Sequence, residues 1–327
     1  VAEFDVDAIL ADTNTRLAAE YVQAFGDYLV AVVLRNAPQT RDARLRLEEV
    51  VRESMGRAEV LGALSSLRAA SGVIADDPAT AAAFSIAPGS SGLTGAACRG
   101  QLLAFADTSA EKVLSRVTFA EALEDLVDRV PVTLRNTAER ISGRIAELYA
   151  ADGGVIAFAN SAEAAVTQRA RELITKGVRE GIPEREIGRT IAFDVNRIRR
   201  ETEAWTESYA RMAFRTNLND AVSQGRIRTA QDPDVKIAIP AFRFTAIGDG
   251  DTRPNHKAAD GVILSVDNPA WRWLRSPLGY NCRCGIDNMS RPLLRRMGRL
   301  DAAGNVVESK IPFNARPDEG FRPGGGP

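Results

Sequence analysis

Apolar side chains recur at steps of three and four along much of the first 150 residues, the period of helices buried on one face. Leu17, Tyr21, Phe25, Leu29 and Val32 line one such face within residues 5–35, and Asn36, Ala37 and Pro38 break it. Leu47, Val50, Val51, Val60, Leu61, Leu64 and Leu67 line a second face within residues 42–70. Two amphipathic helices with so short a break predict a helical hairpin. From Ser71 to Gly100 the chain turns rich in Ala, Gly and Ser, and residues 87–98 follow neither period, so an exposed loop or linker is expected there.

Helix starts return at Thr118 with Glu121, and near Thr108 with Glu111 and Asn160 with Glu163, at or close to the spacing of a capping box. Pro131 interrupts, Gly153 and Gly154 end the helix that carries Ile141, Ile145 and Leu148, and residues 155–159 suit a short extended piece. A helix is expected over 161–180, stopped by Gly181, with Pro183 opening the next. A longer amphipathic helix is expected over 195–230. Its arginines, from Arg197 to Arg228, sit among Glu201, Glu203, Glu207 and Asp220, which predicts a self-compensated face rather than a stripe for phosphates. After Pro233 the pattern shortens to period two: residues 235–239 and the alternating Phe242, Phe244 and Ile247 predict strands.

These elements feed a different kind of sequence. Residues 246–289 hold the single His of the chain, two of its three Cys and two of its three Trp, and Gly and Pro punctuate them too often for a long helix. A compact strand-and-loop module is expected, with Trp271 and Trp273 as a core pair at strand spacing. From Arg291 periodicity fades, and residues 312–327 carry too little apolar surface to fold alone. Phe313 and Phe321 are the anchors expected to dock this strap.

Composition changes the picture little. The 327 residues are 45% hydrophobic and 26% charged, ordinary globular usage, and 42 basic against 43 acidic side chains leave no global field drawing the protein to DNA or an anionic membrane. Three Cys do not make a disulfide framework, and the odd count suits synthesis in a reducing cytoplasm. No apolar run approaches the roughly 18 residues of a membrane span, and the first residues lack the order of a signal peptide. Cys98, far from His256 in sequence, is expected to be an unreactive thiol.

The candidate chemistry gathers in the module. Cys and His are preferred zinc ligands, and His256, Cys282 and Cys284 flank a loop able to bring them together, with Asp249, Asp251 or water in the fourth position. The alternative is a metal-free module in which His256 hydrogen-bonds an Asp and the Cys pack. A disulfide between Cys282 and Cys284 would close too small a ring. Residues 248–254 begin like a calcium loop but place Arg253 and Pro254 where oxygen ligands and a turn Gly belong. A single His, no phosphate loop and no dinucleotide fingerprint leave enzymatic readings weakly supported.

Several short motifs fall in one order: Arg215-Thr216-Asn217, then Asp251-Thr252-Arg253-Pro254 with His256, then Asp260-Gly261, then Asn281-Cys282-Arg283-Cys284, and finally Pro317-Asp318-Glu319-Gly320-Phe321 with Pro323-Gly324. In this order they resemble the Mu F-like minor head proteins of tailed phages over about residues 160–290 plus the tail. The resemblance implies a structural component of the virion, portal-bound at the special vertex and acting in head assembly and in DNA packaging or delivery. The implied partners are the portal protein, other copies of the chain, the major capsid protein and packaged double-stranded DNA, with no membrane. Asp251, Arg253, Asp260, Gly261, Asn281 and Arg283 would be fold-defining, and His256, Cys282 and Cys284 the metal ligands of a structural zinc. A Trp-rich stretch, 271–273, stands where such proteins often carry a Phe.

The expected architecture is a mainly α N-terminal region followed by an α+β C-terminal module with a small irregular sheet and an extended C-terminal tail. Its divisions are 1–100, a helical hairpin with a Gly/Ser/Ala-rich linker; 101–160, helical; 161–290, the minor-head module; and 291–327, the tail. The competing class is a metal-dependent nuclease or toxin-associated enzyme, which predicts a second motif-bearing domain. A metal-dependent DNA-binding module, which predicts a basic face, is the third.

Overall fold

A computed structural model describes residues 19–28, 31, 37–86, 96–107, 118–150, 175, 179 and 195–321, with side chains from Tyr209 onward in the last stretch. The expectations for residues 5–18, 29–30, 32–36, 87–95, 108–111, 153–160 and 181–194, and for Pro323-Gly324, lie outside the described residues, as does most of the 161–180 helix.

The N-terminal region is helical. Residues 19–28 (α1) place Tyr21 and Phe25 in the core. The helix Ala37–Asp76 (α2) opens with Pro38 in its first turn, where no amide bond is lost. It runs through Ser71, so the expected linker is not a loop at its start. Helices Pro78–Ile86 (α3) and Ala96–Asp107 (α4) follow, and Cys98 lies within α4. Ala-rich sequence without an apolar period still has high helix propensity, and here tertiary contacts use it. Ser71 is fully buried and donates to Leu102 O at 2.7 Å, and Ile74 is buried beside it. A stretch of α2 beginning at Gln39 is long and apolar enough to cross a membrane, contrary to the sequence expectation, but 67% of that window is buried inside the protein.

The helix Phe119–Asp128 (α5) starts at the expected capping box: Thr118 N donates to Glu121 Oε2 at 2.6 Å, and Glu121 N donates to Thr118 Oγ1 at 3.2 Å. Pro131 leads into a single 3-10 turn, and Arg135–Ala150 (α6) follows, burying Ile141 and Ile145 while Leu148 faces out. Phe119 meets Tyr149 edge-on at 5.3 Å between ring centres, closing α5 against α6.

The long helix Val195–Ala230 (α7) has the expected bounds and packs along α2. Tyr21 and Phe25 of α1 reach its aromatic face, 5.6 Å from Phe214 and Tyr209 respectively. Where α2 and α7 cross, two glycines face each other's backbone: a methyl group on Gly62 would sit 2.1 Å from Val222 O, and one on Gly225 2.1 Å from Glu59 O. Neither position has room for Ala.

Of the described α7 arginines, Arg226 and Arg228 turn inward, whereas Arg211 is exposed. Arg226 is buried and donates to Ile286 O at 2.5 Å. Burial lowers its pKa to about 10, so it remains a cation at neutral pH. Arg228 crosses to Glu59 of α2. For Arg228 the compensating charge comes from another element, and the side chains of Glu201, Glu203 and Glu207 lie outside the described residues.

Residues 233–238 form a short helix (α8), not the expected strand: Asp232 caps it and Pro233 sits in its first turn, and this start outweighs the β-branched residues that follow. Asp232 is also the buried focus for α6, accepting from Arg140 at 3.0 Å and Arg144 at 2.8 Å.

The C-terminal part contains a three-stranded antiparallel sheet in the order β2-β1-β3, from Ala241–Thr245 (β1), Ile263–Ser265 (β2) and Gly285–Met289 (β3). Phe242 pairs with Leu264 on one side and Asn288 on the other. Phe242, Phe244, Leu264 and Ile286 face the core shared with the helices, whereas Ala241, Ile263 and Met289 pack with Leu294 on the opposite face. Leu294 belongs to the last helix, Arg291–Arg296 (α11). Trp271 and Trp273 sit on a four-residue helix, Trp271–Leu274 (α10), rather than at strand spacing. Trp271 is buried edge-on to Phe242, and Arg316 from the tail covers Trp273 at 4.4 Å. The fold class thus follows the sequence expectation, with a helical region, a small sheet and an extended tail.

Candidate metal centre

Three elements converge below the sheet. The helix Pro254–Ala259 (α9), started by Arg253 and Pro254, turns His256 inward to 2% exposure. The turn 279–282 precedes β3 and carries Asn281 at φ 58, a left-handed conformation that Asn tolerates better than most residues. This turn sends Cys282 and Cys284 to the same side. The thiols are free and buried, and His256 Nδ1 lies 3.6 Å from each sulfur. All three ligand atoms fall within 4.8 Å of one another.

α7 holds the turn from above. The Asn219 amide donates to Cys282 O at 3.1 Å, Cys284 O at 3.0 Å and Ser276 Oγ at 3.1 Å. Asn281 N donates to Thr216 Oγ1 at 2.9 Å, and Arg215 reaches Asn281 Oδ1 at 3.3 Å. Two motifs 65 residues apart therefore meet in space. Asn219 was not singled out from the sequence, where an amide on a helix carries no sign of its burial; the structure holds it at 3% exposure. Asn219→Leu should leave Cys282 O without its donor inside the core and cost about 2 kcal/mol, read as a lower denaturant midpoint of the full-length chain; an unchanged midpoint would show that water replaces the amide.

The thiols are not equivalent. The hydrogen bond from Cys284, aided by His256, draws Cys282 down to about 4 against the opposing effect of burial, whereas that same bond holds the Cys284 proton and pushes it up. The other ring nitrogen, His256 Nε2, is buried and faces Asp318 Oδ1 at 3.4 Å, long for a hydrogen bond and without its geometry.

The remaining motif residues build the surrounding loops. Arg283 pairs with Asp249 at 2.5 Å, and Thr252 Oγ1 donates to Asp249 at 2.9 Å; together they hold this carboxyl below the usual range. Asp260 accepts from Ala246 N at 2.8 Å, and Gly261 at φ 75 lets its amide reach Phe244 O. Arg253 donates to Tyr280 O at 2.8 Å. Asp251 is exposed. Neither Asp249 nor Asp251, the expected fourth ligands, belongs to the His256–Cys282–Cys284 cluster, because Asp249 is committed to Arg283 and Asp251 points to solvent.

The tail docks on its own chain, but not through the expected pair of anchors. Phe321 meets Tyr280 edge-on at 5.1 Å, whereas Phe313 is 92% exposed and the fully buried side chain is Ala315. Short spacing explains this: the turn at 312–315 inserts Ala315, and Phe313 is carried to the outside.

Residues 168–286 match the family described as Phage Mu protein F like protein. The chain is 27% identical over 161 residues to the putative capsid assembly protein F of Escherichia phage Mu, covering 46% of this chain and 37% of that protein. It is 31% identical over 88 residues to the Mu-like prophage FluMu F protein of Haemophilus influenzae, covering 27% of this chain and 21% of that relative. The match thus spans about a third and a fifth of these relatives' lengths. No solved structure matches the chain. The matched region contains α7, β1, β2, the start of β3 and the Cys-His cluster described above, and over this region the chain is similar to the Mu F-like family.

Proposed function

We propose that this protein is a head-assembly component of a tailed phage or phage-like particle, a minor head protein that binds the portal at the special vertex and acts in DNA packaging or delivery. The observation that carries this reading is the match of residues 168–286, together with a relative described as a putative capsid assembly protein. The geometry supports a structural use of the motifs. Arg215, Thr216, Asp249, Arg253, Asp260, Asn281 and Arg283 all spend hydrogen bonds on the protein's own backbone and side chains. Such a network fixes the shape of a module, as assembly requires.

In this reading the helices supply docking surface, and their apolar anchors rather than their charges supply the energy of association. The protein acts as a non-enzymatic component of the particle, with the portal as its first partner and the capsid protein and other copies of itself as neighbours. Co-expression of this chain with the portal protein of the same particle, followed by size-exclusion chromatography with light scattering, should give a complex of fixed stoichiometry. Separate elution of the two, with divalent-dependent cleavage of DNA by the isolated chain, would replace this reading with the nuclease.

A further inference from the structure

The Cys-His cluster and the strap at the end of the described chain meet at His256. Zinc bound tetrahedrally, with Zn–S of about 2.3 Å and Zn–N of about 2.0–2.1 Å, sets its nitrogen and sulfur ligands about 3.6 Å apart. His256 Nδ1 lies 3.6 Å from Cys282 Sγ and 3.6 Å from Cys284 Sγ. The three side chains are 2–4% exposed, so the ligand triangle is already assembled inside the protein.

The ring's far side is equally specific. A histidine that ligates through Nδ1 carries its proton on Nε2 and commonly donates it to a carboxylate, which fixes the ring and strengthens the ligand. His256 Nε2 is a buried nitrogen without a hydrogen bond, and the carboxylate it faces, at 3.4 Å, is Asp318 of the strap. Asp318 is itself closely seated. Asn255 donates to its Oδ1 at 3.0 Å, Arg253 lies 3.3 Å from its Oδ2, and its amide donates to Leu278 O at 2.8 Å. It also lies so near Gly279 that a methyl group there would fall 1.8 Å from its Oδ2.

We propose that His256 Nδ1 and the thiolates of Cys282 and Cys284 hold one zinc ion, and that this ion is the clasp of the C-terminal strap, acting through His256 on Asp318. A solvent oxygen completes the tetrahedron. Binding displaces the thiol protons to solvent and leaves both sulfurs as thiolates, with no change of oxidation state. Loading and strap docking are therefore coupled: the ion fixes the tautomer that Asp318 accepts from, and Asp318 strengthens the nitrogen that binds the ion. The inference stands on this geometry and is independent of the assembly role.

Three measurements on the full-length chain test it. Elemental analysis of protein purified without chelator should find about one zinc per chain, and replacement by Co²⁺ should give the near-ultraviolet thiolate charge-transfer band with visible bands of a tetrahedral site. Asp318→Asn should keep the metal but speed its loss to a chromogenic chelator about tenfold or more, and should raise backbone hydrogen exchange over residues 311–321. Stripping zinc from the unmodified chain should produce that same exchange pattern. A chain that carries no zinc and gives no charge-transfer band on Co²⁺ titration would overturn the site, a result that needs no variant to fold. Metal binding with strap exchange unchanged by both stripping and Asp318→Asn would overturn the clasp.

Discussion

Gly225→Ala should be among the most damaging single-methyl additions available in this protein, costing about 3 kcal/mol or more. The methyl group would lie 2.1 Å from Glu59 O and 3.1 Å from Ala63 N. Backbone cannot rotate away as a side chain can, so α2 and α7 must separate over the crossing. That movement would disturb both the Glu59–Arg228 pair and the Arg226 bond to Ile286 O. Gly62→Ala, which faces Val222 O at the same distance, should behave alike. Gly143→Ala is the control: nothing lies within 4 Å of that added methyl, and an exposed helical glycine replaced by Ala should gain about 0.5–1 kcal/mol. Thermal unfolding should therefore shift down by about 5 °C or more for the crossing variants and slightly up for the control. Equal shifts in all three would mean that the helices do not approach as closely as described.

Arg228→Met should cost about 3 kcal/mol near neutral pH, the lower end for breaking a buried pair because the arginine side chain is 38% exposed while that of Glu59 is 1% exposed. Burial raises the Glu59 pKa, and Arg228 and Tyr149 only partly oppose it. Because the folded pKa is raised, the folded state holds the proton more tightly. The contribution of Glu59 to stability is full below its unfolded pKa and is lost as pH rises through the folded one. Removing Arg228 raises the folded pKa further, so the difference between variant and parent should be largest at neutral pH and shrink towards acid pH. Taking the difference cancels the other carboxyls, such as Asp77 and Asp301, whose lowered pKa values remove stability in acid from both proteins alike. Adding Glu59→Gln to Arg228→Met should restore most of the loss. A penalty that does not change with pH would place its origin in lost packing instead.

Both predictions concern a helix crossing that sequence periodicity pointed to without specifying. The face Leu47 to Leu67 was readable because burial on one side of a helix imposes a repeat of 3.6 on one chain segment, and the helix over 195–230 was readable as amphipathic without its buried residues being specified. The contact between Gly62 and Gly225 was not, since each glycine answers to backbone more than 150 residues away. Residues 71–86, 235–239 and 271–274 are helical where the sequence pattern predicts a loop, a strand and strand spacing, and the first two differ from expectation for different reasons. Residues 71–86 lack an apolar repeat, yet Ser71 and Ile74 are buried by α4, and residues 235–239 have strand-like composition but follow a cap-and-proline start. Local composition was outvoted by a neighbour in the first case and by the preceding two residues in the second.

The sequence by itself determined which side chains carry the candidate chemistry, for a plain reason: one His and two closely spaced Cys in a Gly- and Pro-punctuated stretch leave few other places to look. It also determined the helix from Val195 to Ala230, its caps aside, and the order of motifs that mark the family. Tertiary structure alone decided how those side chains are used. It set His256 Nδ1 equidistant from the two sulfurs and withdrew Asp249 into a pair with Arg283. It added Asn219 as the support of the Cys turn and brought Asp318 of the tail to the far side of the imidazole. Distances of a few ångströms between residues 26 to 65 positions apart depend on how packed helices and a sheet bring loops together, and no local repeat in a chain encodes that.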